Sequence, residues 1–154
     1  MLTPKQYESL GILSLTFNHL EDMLERIIEC YLSGGTHSRL VKAVAAEGNF
    51  SQKAARFRRL LRAFREDHPE LAAEIDVVRG FLTDATQVAE KRNAYMHALA
   101  TYDVYKDETR LIIKGVETVC DEEEIIRLDR EIMGVHAQLG STAFELFRKT
   151  MPSK

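Results

Sequence analysis

The sequence predicts an all-α protein: an antiparallel four-helix bundle whose second helix is broken, with a short β-hairpin-like excursion between helices three and four. Three observations predict it. Apolar residues recur at alternating spacings of three and four along three long stretches. Helix-start patterns stand immediately before two of those stretches. The period then changes over one segment alone, Ala100 to Val119.

Helix one opens at Thr3, which forms a capping-box pattern with Gln6, and Pro4 takes the first helical position, where a missing N–H costs nothing. Leu10, Leu13, Phe17, Leu20, Leu24, Ile27 and Tyr31 follow in three-four alternation, the seam of a packed helix pair. Ser33-Gly34-Gly35 ends it, giving a rod of roughly 45 Å. A short helix is expected from His37 to Ala46, broken by Glu47-Gly48-Asn49. Ser51 can cap a second piece, SQKAARFRRLLRAFRED, with Phe57, Leu60, Leu61 and Phe64 on its buried face. Pro69 ends that piece and can start the next helix.

Helix three carries Leu71, Ile75, Val78, Leu82, Ala85, Ala89, Arg92, Met96 and Leu99 at the same spacing, a stripe that is apolar except at Arg92. The run TYDVYKDETRLIIKGV then reads as two short strands or an extended hairpin. Asp121 with Glu124 makes a second capping box and opens helix four, whose stripe is Ile125, Leu128, Ile132, Val135, Leu139, Thr142 and Leu146. Met151 to Lys154 reads as a frayed tail. Helices with one apolar stripe each bury it most simply against one another, as a bundle.

The 154 residues suit one domain, 1–154, with no repeat, low-complexity tract or Gly/Pro/Ser-rich linker to divide it. No apolar run approaches the roughly eighteen residues of a membrane span. The start MLTPKQYESL lacks a basic segment followed by an apolar core, so no secretory signal is expected. Cys30 and Cys120 are far apart without metal-ligand spacing and read as reduced thiols, which points to the cytoplasm. Net charge is −3, yet eight basic residues and one acid, Glu47, lie between Arg39 and Arg65. That asymmetry fits a polyanionic partner or complementary subunit surfaces.

None of the five histidines has a glutamate three positions before it, so the di-metal pattern of helical bundles is missing. No P-loop, G-x-G-x-x-G, G-x-S-x-G or H-E-x-x-H motif occurs either, and no cofactor or metal is expected. What stands out is Arg92-Asn93-Ala94-Tyr95-Met96-His97, at the end of helix three with its arginine on the apolar stripe.

With this Arg-x4-His hexapeptide in a four-helix chain, the sequence resembles the HEPN superfamily, and the opening LSLTFNHLEDMLE is similar to first helices of small HEPN-like bundles. The resemblance implies a metal-independent endoribonuclease, a toxin or a defence or stress RNase. It implies a homodimer whose paired motifs line a cleft between subunits, with RNA as substrate. One subtype has Arg-x4-His-x-Tyr, its tyrosine a target for adenylylation; here that position is Leu99, and the nearest downstream tyrosine is Tyr102. Neutralisation by a bound antitoxin protein, or no antitoxin at all, stays open.

The implied roles agree with side-chain chemistry. Histidine, ordinarily near ~6.5, suits proton transfer at the 2′-hydroxyl or the leaving 5′-oxygen. A guanidinium offers planar donors to two phosphate oxygens. Arg92 would hold phosphate charge, His97 would be general acid or base, and Asn93 would orient one of them. On a regular helix Arg92 and His97 differ by about 140°, so either the helix ends before His97 or the phosphate lies between two protomers. Tyr95 could stack on a base, or serve as a core residue. Arg58, Arg59, Arg62 and Arg65, with Lys53 and Arg56, could collect RNA phosphates or form a solvated face. The competing structural reading pairs Arg92 with Glu21 or Asp22 and makes His97 a cation at the carbonyl end of its helix. The alternative function is a non-catalytic HEPN-like module for dimerisation or for binding an antitoxin or other partner, and a third is a basic-helix nucleic-acid binder.

Overall fold

The structure is a computed structural model and describes residues 2–34, 38–103, 108–113, 115–119 and 121–151. It is an all-α helical bundle. Its elements are α1 (Pro4–Ser33), α2 (Arg39–Ala46), α3 (Phe50–Asp67), a 3-10 turn (Pro69–Leu71), α4 (Ala72–Met96), β1 (Leu99–Asp103), β2 (Glu108–Ile113), β3 (Val116–Val119) and α5 (Glu122–Lys149). His37, Lys106, Asp107 and Cys120 lie outside the described residues, and so does most of the tail, 152–154.

The start of α1 is as the sequence predicts. Thr3 Oγ1 accepts from the Gln6 amide while Gln6 Oε1 accepts from the Thr3 amide, and Gly34 closes the helix at φ 60. The α3 cap is different. Asn49, not Ser51, caps the helix: its Oδ1 accepts from the Gln52 amide, and Gln52 Oε1 accepts from the Asn49 amide. Gly48 at φ 87 turns the chain into that position, and Phe50 then enters the core. The second predicted box, Asp121 with Glu124, forms only in part. Asp121 accepts from the Glu123 amide, whereas the Glu124 carboxylate is drawn away by the Tyr95 hydroxyl at 2.7 Å.

Successive helices reverse direction. Phe17 and Tyr31 of α1 meet Phe50 and Phe64 of α3 in the same order, so α3 runs alongside α1 and α2 is the return between them. The break in the second helix is therefore a complete reversal. Arg58–Thr86 and Arg65–Asp76 set α3 against α4, and Tyr95–Glu124 and Lys91–Glu131 set α4 against α5, both antiparallel. Leu13, Leu20, Leu24 and Ile27 of α1 are fully buried with Phe57, Leu61, Ile75, Leu82, Ile125, Ile132 and Leu139. Each such side chain contributes about 1.5–3 kcal/mol of burial free energy. Tyr31 ties the far end together, its hydroxyl donating to the Ala143 carbonyl at 2.9 Å amid Phe57, Phe64 and Phe147.

Between α4 and α5 lies a three-stranded antiparallel sheet in the order β1-β2-β3, with Leu99 opposite Ile112 and Ile113 opposite Val116. The sequence suggests two strands; the third forms because Gly115, at φ 81, allows a tight reversal after β2. Among the described residues no helix is long and apolar enough to cross a membrane.

Candidate functional site

The site is built where the end of α4 and the start of α3 meet the middle of α1. α4 stops at Met96, and His97 is its cap residue, donating its amide to the Asn93 carbonyl at 3.0 Å before the chain turns into β1. On α1, Phe17 and Glu21 stand one turn apart and face the end of α4. From α3 come Asn49, Phe50 and Ser51, the cap and first turn. Together with Thr86, Ala89 and Glu90 of α4, they and Arg92, Asn93 and His97 line one cleft of about 410 Å³.

Arg92 is half-buried. Its guanidinium lies 4.7 Å over the Phe17 ring, an arrangement worth about 0.5–2 kcal/mol, and one Nη donates to Asn93 Oδ1 at 3.1 Å. The long side chain therefore crosses the angular gap that a regular helix leaves between Arg92 and His97. Arg92, Asn93 and His97 meet in one cleft of one chain, with the helix ending just before the histidine. Arg92 Nε is buried without a hydrogen-bond partner among the described residues. Burial pulls the Arg92 pKa below its ordinary value, and the field of Glu21 opposes that shift. Arginine stays charged in such settings.

The expected structural pairing of Arg92 with Glu21 or Asp22 is not made: among the described residues no carboxylate lies within 4 Å of its guanidinium. Lys53 takes Glu21 instead, at 2.7 Å, and also Glu25. Lys53 is 4% exposed, which corrects its expected place on a solvated basic face. Burial works against its charge, but the hydrogen bonds to Glu21 and Glu25 outweigh that and hold the ammonium above the usual lysine range.

The other predicted residues are spread out. Arg58 donates to Thr86 Oγ1 at 3.0 Å and so sits at the margin of the cleft. Arg65 is paired with Asp76 at 2.6 Å, and Arg56 donates to the carbonyls of Ala45 and Glu47. Arg59 and Arg62 are exposed, without a partner among the described residues. The basic helix thus presents fewer free cations than its composition suggests. Tyr95 lies outside the cleft, in a groove between α4 and α5, packed on the core with its hydroxyl on Glu124.

The sequence reading missed the part played by the start of α3. Its first-turn amides have no intrahelical acceptor, and the positive end of its dipole faces the cleft. The Asn49-x-x-Gln52 pattern was a signal for it, obscured by the neighbouring Ser51. Ser51, relieved of capping, exposes its hydroxyl in the cleft. Among the described residues no group of three or more His, Cys, Asp or Glu side chains is placed to hold a metal ion. In comparison with protein-family models, curated proteins and solved structures, nothing matches this chain.

Proposed function

We propose that this protein is a metal-independent endoribonuclease of HEPN type, a toxin or a defence or stress RNase. The observation that carries the reading is that Arg92, Asn93 and His97 line one open cleft, with the guanidinium held by an aromatic ring and an amide rather than by a carboxylate. Such a guanidinium keeps donors for phosphate oxygens. The start of α3 adds a second positive wall, and helix starts suit phosphate.

In the proposed reaction the 2′-oxygen attacks phosphorus, the bond to the 5′-oxygen breaks, and a 2′,3′-cyclic phosphate and a free 5′-hydroxyl result. Arg92 stabilises charge on the phosphorane-like transition state, Asn93 positions Arg92, and His97 carries one of the two proton transfers. Two transfers at neutral pH ask for an acid and a base, and the cleft holds one histidine. A twofold copy would supply the second imidazole from its own exposed His97, making the homodimer part of the machinery. The working place is the cytoplasm, and a neutralising antitoxin protein is a further proposed partner.

The test is cleavage of RNA in EDTA by the wild type, Arg92→Ala and His97→Ala, each checked for fold. Either substitution is expected to lower the rate by about a hundredfold or more. Undiminished cleavage by folded His97→Ala, or none by the wild type on any RNA tried, overturns the reading.

One observation favours the alternative, a non-catalytic partner-binding module. Ile12, Leu15, Ile126 and Met133 are 37–57% exposed along the outer face of α1 and α5. Apolar residues gathered on one face mark interaction surfaces more often than scattered ones do.

A further inference from the structure

The cleft holds a problem that its residues solve in an unexpected way. Glu21 stands one helical turn from Phe17, the residue that carries the Arg92 guanidinium, and its carboxylate lines the same cleft as Arg92. A bidentate arginine–carboxylate pair is among the strongest a protein makes, and it would close Arg92 to any ligand. The pair is absent, and Lys53 is what occupies Glu21. Lys53 reaches it from inside the bundle, buried, with Glu25 as its second acceptor.

We infer that Lys53 is a positioning residue that withholds Glu21 from Arg92 and so keeps the guanidinium open to a phosphate group. The inference rests on the reading of the cleft as an RNA phosphate site. The charges explain why the arrangement holds. Lys53 and Arg92 balance Glu21 and Glu25, and Glu90 also lines the cleft, so attraction of an incoming phosphate depends on Arg92 keeping its donors free. Remove the ammonium and the cluster becomes more anionic, and among the described residues Arg92 is the arginine or lysine that shares the cleft lining with Glu21.

Two measurements on the full chain test this separately from nuclease activity. Binding of a fluorescent single-stranded RNA oligonucleotide in EDTA is followed for the wild type, Lys53→Met, Glu21→Gln and the double variant. Lys53→Met is expected to weaken binding roughly tenfold, and the double variant to return to within about twofold of wild type. Glu21→Gln alone is expected to raise affinity by no more than about threefold, because Lys53 already holds that carboxylate and only its field reaches Arg92. The Arg92 Nε–H resonance, in protein labelled at arginine nitrogen, is expected to shift in Lys53→Met and to return in the double variant. Wild-type affinity in folded Lys53→Met overturns the inference, and so does a double variant as weak as Lys53→Met. If Lys53→Met does not fold, Glu21→Gln decides: a tenfold gain in affinity would mean that Glu21 acts on Arg92 despite Lys53. Should the wild type not bind RNA, the nuclease reading fails, and the resonance still decides whether Lys53 governs the Glu21–Arg92 pairing.

Discussion

Arg92 and Lys53 meet the same difficulty, a cation on a helix face that is otherwise apolar, and they meet it differently. Lys53 is buried and fully claimed by two glutamates, whereas Arg92 keeps its charge over a ring and leaves Nε without a partner among the described residues. Composition treats the two alike; only burial and partners separate them. His136 is a third titratable group set apart by its surroundings. Burial between α1 and α5, and then the charge of His19, push it below the ordinary histidine value. The unfolded chain therefore takes up that proton more readily than the folded one. Its contribution to stability is present above the unfolded value, near ~6.5, and is lost as pH falls toward the folded value. Melting temperatures at pH 7 and pH 5 should show a smaller acid loss in His136→Gln than in the wild type; equal losses would count against this account.

At the scale of elements, the start of α3 does two things at once. It ends the reversal from α2, and it forms one wall of the cleft. The cap that fixes it is Asn49 with Gln52. Asn49→Ala should cost about 1 kcal/mol, seen as a lower denaturant midpoint with an unchanged slope, while Ser51→Ala should stay within about 0.5 kcal/mol of wild type. The opposite ranking would restore Ser51 as the cap. The same logic explains why Arg58 and Arg65 are poor candidates for a free basic face. Each crosses from α3 to α4, to Thr86 and to Asp76, and helps hold the antiparallel pair. The β1-β2-β3 sheet is a local excursion whose register follows from Gly115 and from neighbouring strands; it takes Leu99, which the spacing placed on the helix-three stripe, into β1, because α4 stops at Met96.

For the whole molecule, the outer α1–α5 face is a surface on which exposed apolar side chains are left without cover. Leu15 of α1 and Met133 of α5 are each 57% exposed. If that face binds a second copy, Leu15→Glu with Met133→Glu should lower the mass measured by light scattering while the melting temperature stays close to wild type, because neither side chain belongs to the core. An unchanged mass would mean that any self-association uses another surface, such as the mouth of the cleft beside His97.

Much of this architecture is legible in the chain itself. The stripes of α1, α4 and α5, the Thr3–Gln6 box, the stop at Gly34 and the strand-like segment from Ala100 all rest on interactions between residues a few positions apart, so spacing and residue type carry them. The hexapeptide from Arg92 to His97 is visible for the same reason. What the sequence could not decide is which charges are used up. That depends on residues 28 to 75 positions apart: Lys53 on Glu21 and Glu25, Arg92 on Phe17, Arg58 on Thr86, Tyr95 on Glu124. Local pattern determined the long helices and both ends of α1. Tertiary packing alone decided which cations are neutralised and which face a cleft, because Coulomb and hydrogen-bond partners are chosen by distance in space, which the order of residues along one helix does not specify.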